Sequence, residues 1–218
     1  NRVKYGACCV SNYNTRDGYI TPREFARTKV IDETGCGMIT NQGAYPDPRG
    51  EGKAYFRQVA IFDDKFIPQF ETIARMIHDN GGVAIQQILH AGRYGGIDLG
   101  YCIQPSIVPQ TLPHFRPPRE ITREQIRQTI KEHADAAVRS IKAGFDGTEV
   151  TSFMGYLLAT FNSRFTNQRT DEYGGSTENR GRFMRELSAA IKHATPDHPL
   201  ILRLNGAERA RVEPAEVE

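Results

Sequence analysis

The stretch that decides the fold is Gly144–Phe183, GFDGTEVTSFMGYLLATFNSRFTNQRTDEYGGSTENRGRF. It reads as the end of a helix, a short buried strand at Gly147–Val150, a long loop and the start of another helix. The same order recurs on both sides of it. Val3–Val10 is an apolar run predicted as a strand, and Thr21–Glu33 as a helix with Thr21 as N-cap and Pro22 at its first position. Cys36–Thr40 is a second strand, followed by a long Gly- and Pro-containing connection, Asn41–Phe62. Phe66, Phe70, Ile73, Ala74 and Ile77 recur at helical spacing and predict a helix over 64–79, stopped by Asn80-Gly81-Gly82. Val83–Leu89 is a third strand, and His90–Glu120 another long loop. Thr122 and Gln125 form a capping-box pattern before a helix that buries Ile126, Ile130, Ala134, Ala137 and Ile141. Beyond the loop, Glu178–Ala194 is a helix with Phe183, Leu187 and Ile191 on one stripe, and Pro199–Leu204 is a fifth strand.

Strand followed by helix, repeated in one order, argues for parallel strands with right-handed crossovers. A doubly wound sheet and a (β/α)8 barrel both fit. No Gly-rich fingerprint joins a first strand to its helix, which leaves the dinucleotide fold little support. Long loops follow the second, third and fourth strands while the helix-to-strand turns are short. That asymmetry suits a barrel working at the C-terminal ends of its strands. The expected fold class is therefore α/β, a (β/α)8 TIM barrel with about five β/α units in this chain. A whole barrel takes about 250 residues and eight strands. The tail Gly206–Glu218 is too short to supply three strands, so residues 1–218 are expected to form one partial barrel domain with its C-terminal strands missing.

Lys plus Arg is 28 and Asp plus Glu is 26, a formal net charge of +2. That balance gives no electrostatic reason to invoke nucleic acid or an anionic membrane. Apolar runs fall short of the roughly 18 residues that a membrane span needs. The N-terminus, NRVKYGACCV, carries no long apolar secretory segment. Cys8, Cys9, Cys36 and Cys102 show neither CxxC nor zinc-ligand spacing, so no metal site is expected. Reduced, buried cysteines in a cytoplasmic protein are the expectation.

Barrel chemistry sits at strand ends, and here these offer Cys9, Asn41-Gln42-Gly43, Gln87–His90, Thr151–Tyr156 and Arg203. His90 and Glu149 are too few for a metal cluster, and no Ser-His-Asp set is evident. The assortment suits a planar polar heteroaromatic ligand. A glutamine donates and accepts along a ring edge, an arginine stabilises negative charge on the ring, and a glycine lets backbone approach its plane.

Five segments resemble the Old Yellow Enzyme family of flavin-dependent ene-reductases. NRVKYGACC resembles its first strand, NRI-V-M-(A/S)-P-M-(T/C), and GMITNQGA its second, GLIITEAT. IQQILHAGR resembles the third-strand signature AQLWHAGR, and the Gly144–Phe183 stretch resembles the family's substrate loop. PLILRLN is similar to the fifth strand. The resemblance implies FMN as cofactor, contacted by Ala7 (where the family has Pro), Cys9, Gly43, Gln87 and Arg203. It implies NAD(P)H as reductant, hydride delivery to an electron-poor alkene, and Tyr156 as proton donor. Thr151 and Met154 fall on the substrate-anchoring pair, usually His followed by His or Asn, a departure shared with the 2,4-dienoyl-CoA reductase-like branch. The implied partner is a small alkene or enoyl substrate. Self-association into a homo-oligomer is common in the family, and a 4Fe-4S cluster is expected only if the natural chain is longer. The alternatives are an amine dehydrogenase-like flavoenzyme and a non-catalytic barrel fragment. His90, Arg93 and the charges of TNQRTDEYGGSTENRGR are read as loop bracing, while Tyr94 and Tyr101 are weaker candidates to flank substrate.

Overall fold

The computed structural model describes residues 1–110 and 116–208. Its strands are β1 (Lys4–Tyr5), β2 (Met38–Ala44), β3 (Val83–Ile88), β4 (Cys102–Gln104), β5 (Pro118–Glu120), β6 (Gly147–Ser152) and β7 (Leu200–Leu204). Its helices are α1 (Pro22–Asp32), α2 (Ile67–Asp79), α3 (Arg123–Lys142), α4 (Leu157–Asn162), α5 (Thr177–Arg180) and α6 (Arg182–Ala194). Strands β1-β2-β3-β6-β7 form one sheet in that order, every pair parallel. Chain order and spatial order coincide, with no reversal of the kind that defines a doubly wound sheet. The sheet is thus part of a barrel wall, with one strand from each of the five expected units.

One face of this wall packs on the helices. Ile39, Ala84, Ile88 and Val150 join Phe70, Ile73 and Ile77 of α2, Ile126 and Ala137 of α3, and Phe183, Leu187 and Ile191 of α6 in one core. Alternation along each strand then turns Gln87, Glu149, Thr151 and Arg203 to the opposite, inner face. The capping box forms: Gln125 N donates to the Thr122 hydroxyl at 3.1 Å and Thr122 N to the Gln125 side chain at 2.9 Å. Thr21 occupies the N-cap of α1, but its hydroxyl bonds the Tyr13 carbonyl instead of the helix.

Several boundaries differ from the sequence expectation. The first strand, expected over Val3–Val10, pairs only at Lys4 and Tyr5. Among the described residues β1 has one neighbour, β2, and the ladder between them ends at the Tyr5–Ile39 pair. The second strand runs on to Ala44, through residues whose polarity reads as loop. The next strand supplies partners sideways: Asn41 Nδ2 donates to Gln86 Oε1 at 2.9 Å, and the Gln42 backbone carbonyl accepts from Gln86 Nε2 at 3.0 Å. The third loop contains the short β4–β5 ribbon, and Gly181 divides the last predicted helix into α5 and α6. The tail from residue 209 lies outside the described residues.

The loops above the strands are braced by buried polar groups. Asp47 accepts from Glu51 N and Gly52 N, both at 2.8 Å, and Arg49 grips Glu132 of α3 with two bonds of 2.6 and 2.9 Å. Arg169 donates to the Pro105 and Ile121 carbonyls and to both oxygens of Asp171. The TNQRTDEYGG charges therefore brace the loop, as the sequence predicts. His90 and His133 stack at 6.3 Å, and burial pulls each imidazole down to about 4.

Both imidazoles are neutral in the fold, while the unfolded chain takes up protons below 6.5. The unfolded state then binds more protons between 6.5 and 4, so stability should fall as pH drops through that window and level off below it. Burial raises the Asp47 and Glu24 carboxyls, which act in the opposite sense. Urea midpoints of the native chain and of His133→Asn isolate the imidazole contribution. The variant should show the shallower slope, and equal slopes would contradict the assignment.

Candidate active site

Register assembles the site. Gln87 of β3 lies opposite Glu149 of β6, and Thr151 of β6 opposite Arg203 of β7. Gln87 Nε2 donates to Glu149 Oε1 at 2.7 Å, and Lys4 Nζ of β1 meets Glu149 Oε2 at 2.5 Å. Lys4, Gly6, Glu149, Ile201 and Arg203 line a cavity of ≈ 370 Å³. Arg203 leans toward the first strand, donating from Nη1 to the Ala7 carbonyl at 3.1 Å, with its guanidinium 4.3 Å from the Phe153 ring centre. That cation–π contact holds the guanidinium plane at the mouth.

Gly43 is fixed from both sides: its N donates to Cys9 Sγ at 3.3 Å and its carbonyl accepts from Gln58 Nε2 at 2.9 Å. A Cβ at Gly43 would lie 2.8 Å from Gln87 Oε1 and 2.8 Å from Leu89. The glycine is thus required by close approach of β3. Burial pushes the Cys9 thiol up, while hydrogen bonds from Tyr55 and the Gly43 N–H pull it back, so Cys9 stays a neutral thiol. Cys8, by contrast with the expectation of burial, is exposed, and all four cysteines are free.

Tyr156 N-caps α4 and is half-buried, its ring edge-on to Tyr94 at 5.9 Å and to Phe153 at 5.3 Å. Burial first, then Cys9 and Tyr94, raise its phenol, and Arg203 draws it back. Cys9, Tyr94, Tyr156 and Arg203 therefore share one mouth. Tyr55 also joins them, with its hydroxyl 3.4 Å from Gln42 Oε1 and its acidity coupled to Cys9 and Tyr156. Sequence reading missed Tyr55 and Phe153. Tyr55 lies in a connection without periodicity, where no local pattern marks it. Tyr101 instead bonds Glu51 at 3.0 Å in the loop network.

Thr151 is buried beside Arg203, whereas Met154 is 62% exposed. Met154 and Gly155 both have positive φ, +55° and +80°, and Tyr156 N donates to the Phe153 carbonyl at 3.0 Å to close the turn. This turn aims Tyr156. The buried Gln42 Nε2 has no hydrogen-bond partner among the described residues. Two amides, a guanidinium and a thiol around a close-packed glycine fit the polar edge of a flat heteroaromatic ring such as that of FMN. Among the described residues no cluster of three or more His, Cys, Asp or Glu side chains could hold a metal ion.

Comparison with known proteins locates this geometry. The family model for the NADH:flavin oxidoreductase / NADH oxidase family matches residues 1–217. An NADPH dehydrogenase of Bacillus pumilus (strain SAFR-032) is 33% identical over 208 residues, 95% of this chain and 60% of that protein. Among solved structures, a 2-naphthoyl-CoA reductase in complex with 2-naphthoyl-CoA superposes with a TM-score of 0.88 at 32% identity, over 93% of this chain and 33% of that one. The Old Yellow Enzyme from Pichia sp. AKU4542 gives 0.84 at 28%, over 94% of this chain and 55% of that one. Morphinone reductase in complex with tetrahydroNAD gives 0.81 at 25%, over 94% and 60%. The chain thus spans 60% of the length of the curated relative it matches.

Left-handed backbone suits Asn and disfavours Met. Met154→Asn should raise stability by about 1 kcal/mol, and Met154→Ile should lower it by a similar amount. Urea unfolding of both variants checks this; no gain with Asn would show that the turn carries no strain.

Proposed function

This chain belongs to the NADH:flavin oxidoreductase / NADH oxidase family, and from that membership we propose that residues 1–218 are the FMN-binding part of an NAD(P)H-dependent ene-reductase of the Old Yellow Enzyme kind. The observation that carries the reading is the convergence at one mouth of Tyr156, Cys9 and Arg203 with the Gln87 amide. FMN, when bound, supplies the hydride it takes from NAD(P)H. Gln87, Gly43, Cys9 and Arg203 would hold the ring, with the Ala7 carbonyl steadying Arg203 at 3.1 Å. Arg203 adds positive charge where the ring becomes electron-rich.

Tyr156 gives the proton to the substrate α-carbon. Its phenol carries the proton the step needs, since a tyrosine is neutral at pH 7 and burial, Cys9 and Tyr94 raise this one further. The Phe153–Tyr156 turn and the flanking rings orient the hydroxyl. At the substrate-anchoring positions, Thr151 offers one hydroxyl and Met154 no side-chain donor. A carbonyl bound here is held less firmly than by two strong donors, which favours substrates already activated, such as enoyl thioesters, over simple enones. The 2-naphthoyl-CoA complex of the structural relative is consistent with that preference.

Cytoplasmic placement is proposed from the four free cysteines. No described helix is long and apolar enough to cross a membrane. A homo-oligomer is a further proposal, and an iron–sulfur cluster stays conditional on a longer natural chain. No specific observation favours amine oxidation or an inert barrel.

Tyr156→Phe should slow alkene reduction by about 10²- to 10⁴-fold while leaving flavin reduction by NAD(P)H nearly intact. Stopped-flow measurement of the two half-reactions separates them. Equal loss in both would remove Tyr156 as proton donor.

A further inference from the structure

Glu149 is 2% exposed on the inner face, with one oxygen on the Lys4 ammonium at 2.5 Å and the other on Gln87 Nε2 at 2.7 Å. A carboxylate only accepts hydrogen bonds, so the Gln87 amide has one permitted orientation: its NH2 faces Glu149. Its carbonyl oxygen must then face the other way, toward Gly43, where Oε1 lies 2.8 Å from the place a Cβ would occupy. The bare backbone of Gly43 is what makes room for it. Lys4, which stands where the family's first-strand pattern carries Val, holds the charge that keeps this arrangement paired.

We propose that Lys4 and Glu149 form a positioning relay that locks the Gln87 amide with its carbonyl oxygen toward the mouth, so that the site selects a ring bearing an N–H at that edge. This inference rests on the FMN reading above, because the pyrimidine edge of a flavin presents such an N–H. It assigns Glu149 a role apart from the proton donor and from the ring-contacting residues. Without the relay, Gln87 could flip and offer its NH2 instead, and the site would lose its preference between ring edges.

The test uses the natural full-length protein, stripped of flavin and titrated with FMN and with N3-methyl-FMN, in which that N–H is blocked. Native protein should prefer FMN by about tenfold to hundredfold, the cost of leaving a buried acceptor unpaired. Glu149→Gln, which can donate or accept, should bring the two ligands to within about threefold, mainly by weakening FMN. A Glu149→Gln protein that discriminates like the native one overturns the relay. Should that variant fail to fold, Glu149→Ala, which removes the acceptor and leaves the Gln87 amide free to turn, provides the same comparison. A merely structural role would weaken both ligands alike and leave their ratio unchanged. The Gln87 side-chain amide resonances, read by NMR on flavin-free protein, separate the relay from the FMN reading. Two slowly exchanging protons, lost in Glu149→Gln, support the lock even if FMN does not bind. A freely exchanging Gln87 amide overturns the relay even if FMN binds tightly.

Discussion

The register of β6 between β3 and β7 is the constraint on which the site depends. It sets Glu149 opposite Gln87 and Thr151 opposite Arg203. A slip of one residue would turn Val150 to the mouth and bury Glu149 and Thr151 against the helices. Three contacts oppose that slip. Asp146 N donates to the Ala84 carbonyl at 2.9 Å while the Asp146 carboxylate accepts from Ala84 N at 2.8 Å and meets His78 Nε2 at 2.9 Å. Gly147 is packed so closely that a Cβ would lie 2.6 Å from the Pro199 carbonyl oxygen. Val150 fills the helix-side core. The stretch GFDGTEVT thus carries both the pin and the β6 residues it positions, Glu149 and Thr151.

On this frame the mouth keeps its reactive groups uncharged except for Arg203. Burial raises the Tyr156 phenol, the Tyr55 phenol and the Cys9 thiol alike. A guanidinium among neutral donors favours a ligand that gains electron density, and a protonated phenol nearby can complete the addition of hydrogen across a double bond. In the Lys4–Glu149 pair the carboxylate is buried and the ammonium partly exposed, and the two charges compensate each other and shape the site through Gln87.

Much of this was legible in the sequence, and the gaps have physical causes. Helices with a clear apolar stripe, such as that of Phe183, Leu187 and Ile191, stand where periodicity puts them. The Thr122–Gln125 box sets the start of α3 because capping is local chemistry. The end of β2 was hidden, since Asn41 and Gln42 look like loop residues until Gln86 supplies partners from the next strand. The β4–β5 ribbon, three residues a side, is too short to show a period. At the site, Gln87, Tyr156 and Arg203 could be named from motifs. The left-handed backbone at Met154, the Glu149 bridge and the arrival of Tyr55 from a distant loop are tertiary facts that no local pattern encodes.

The most direct measurement is the visible spectrum of the purified natural protein, taken before and after anaerobic NAD(P)H and again after an enoyl thioester or enone. The expected result is a flavin spectrum that bleaches with NAD(P)H and returns with the alkene. A colourless protein that takes up no added FMN, or a reduced flavin that no activated alkene reoxidises, would contradict the proposed function.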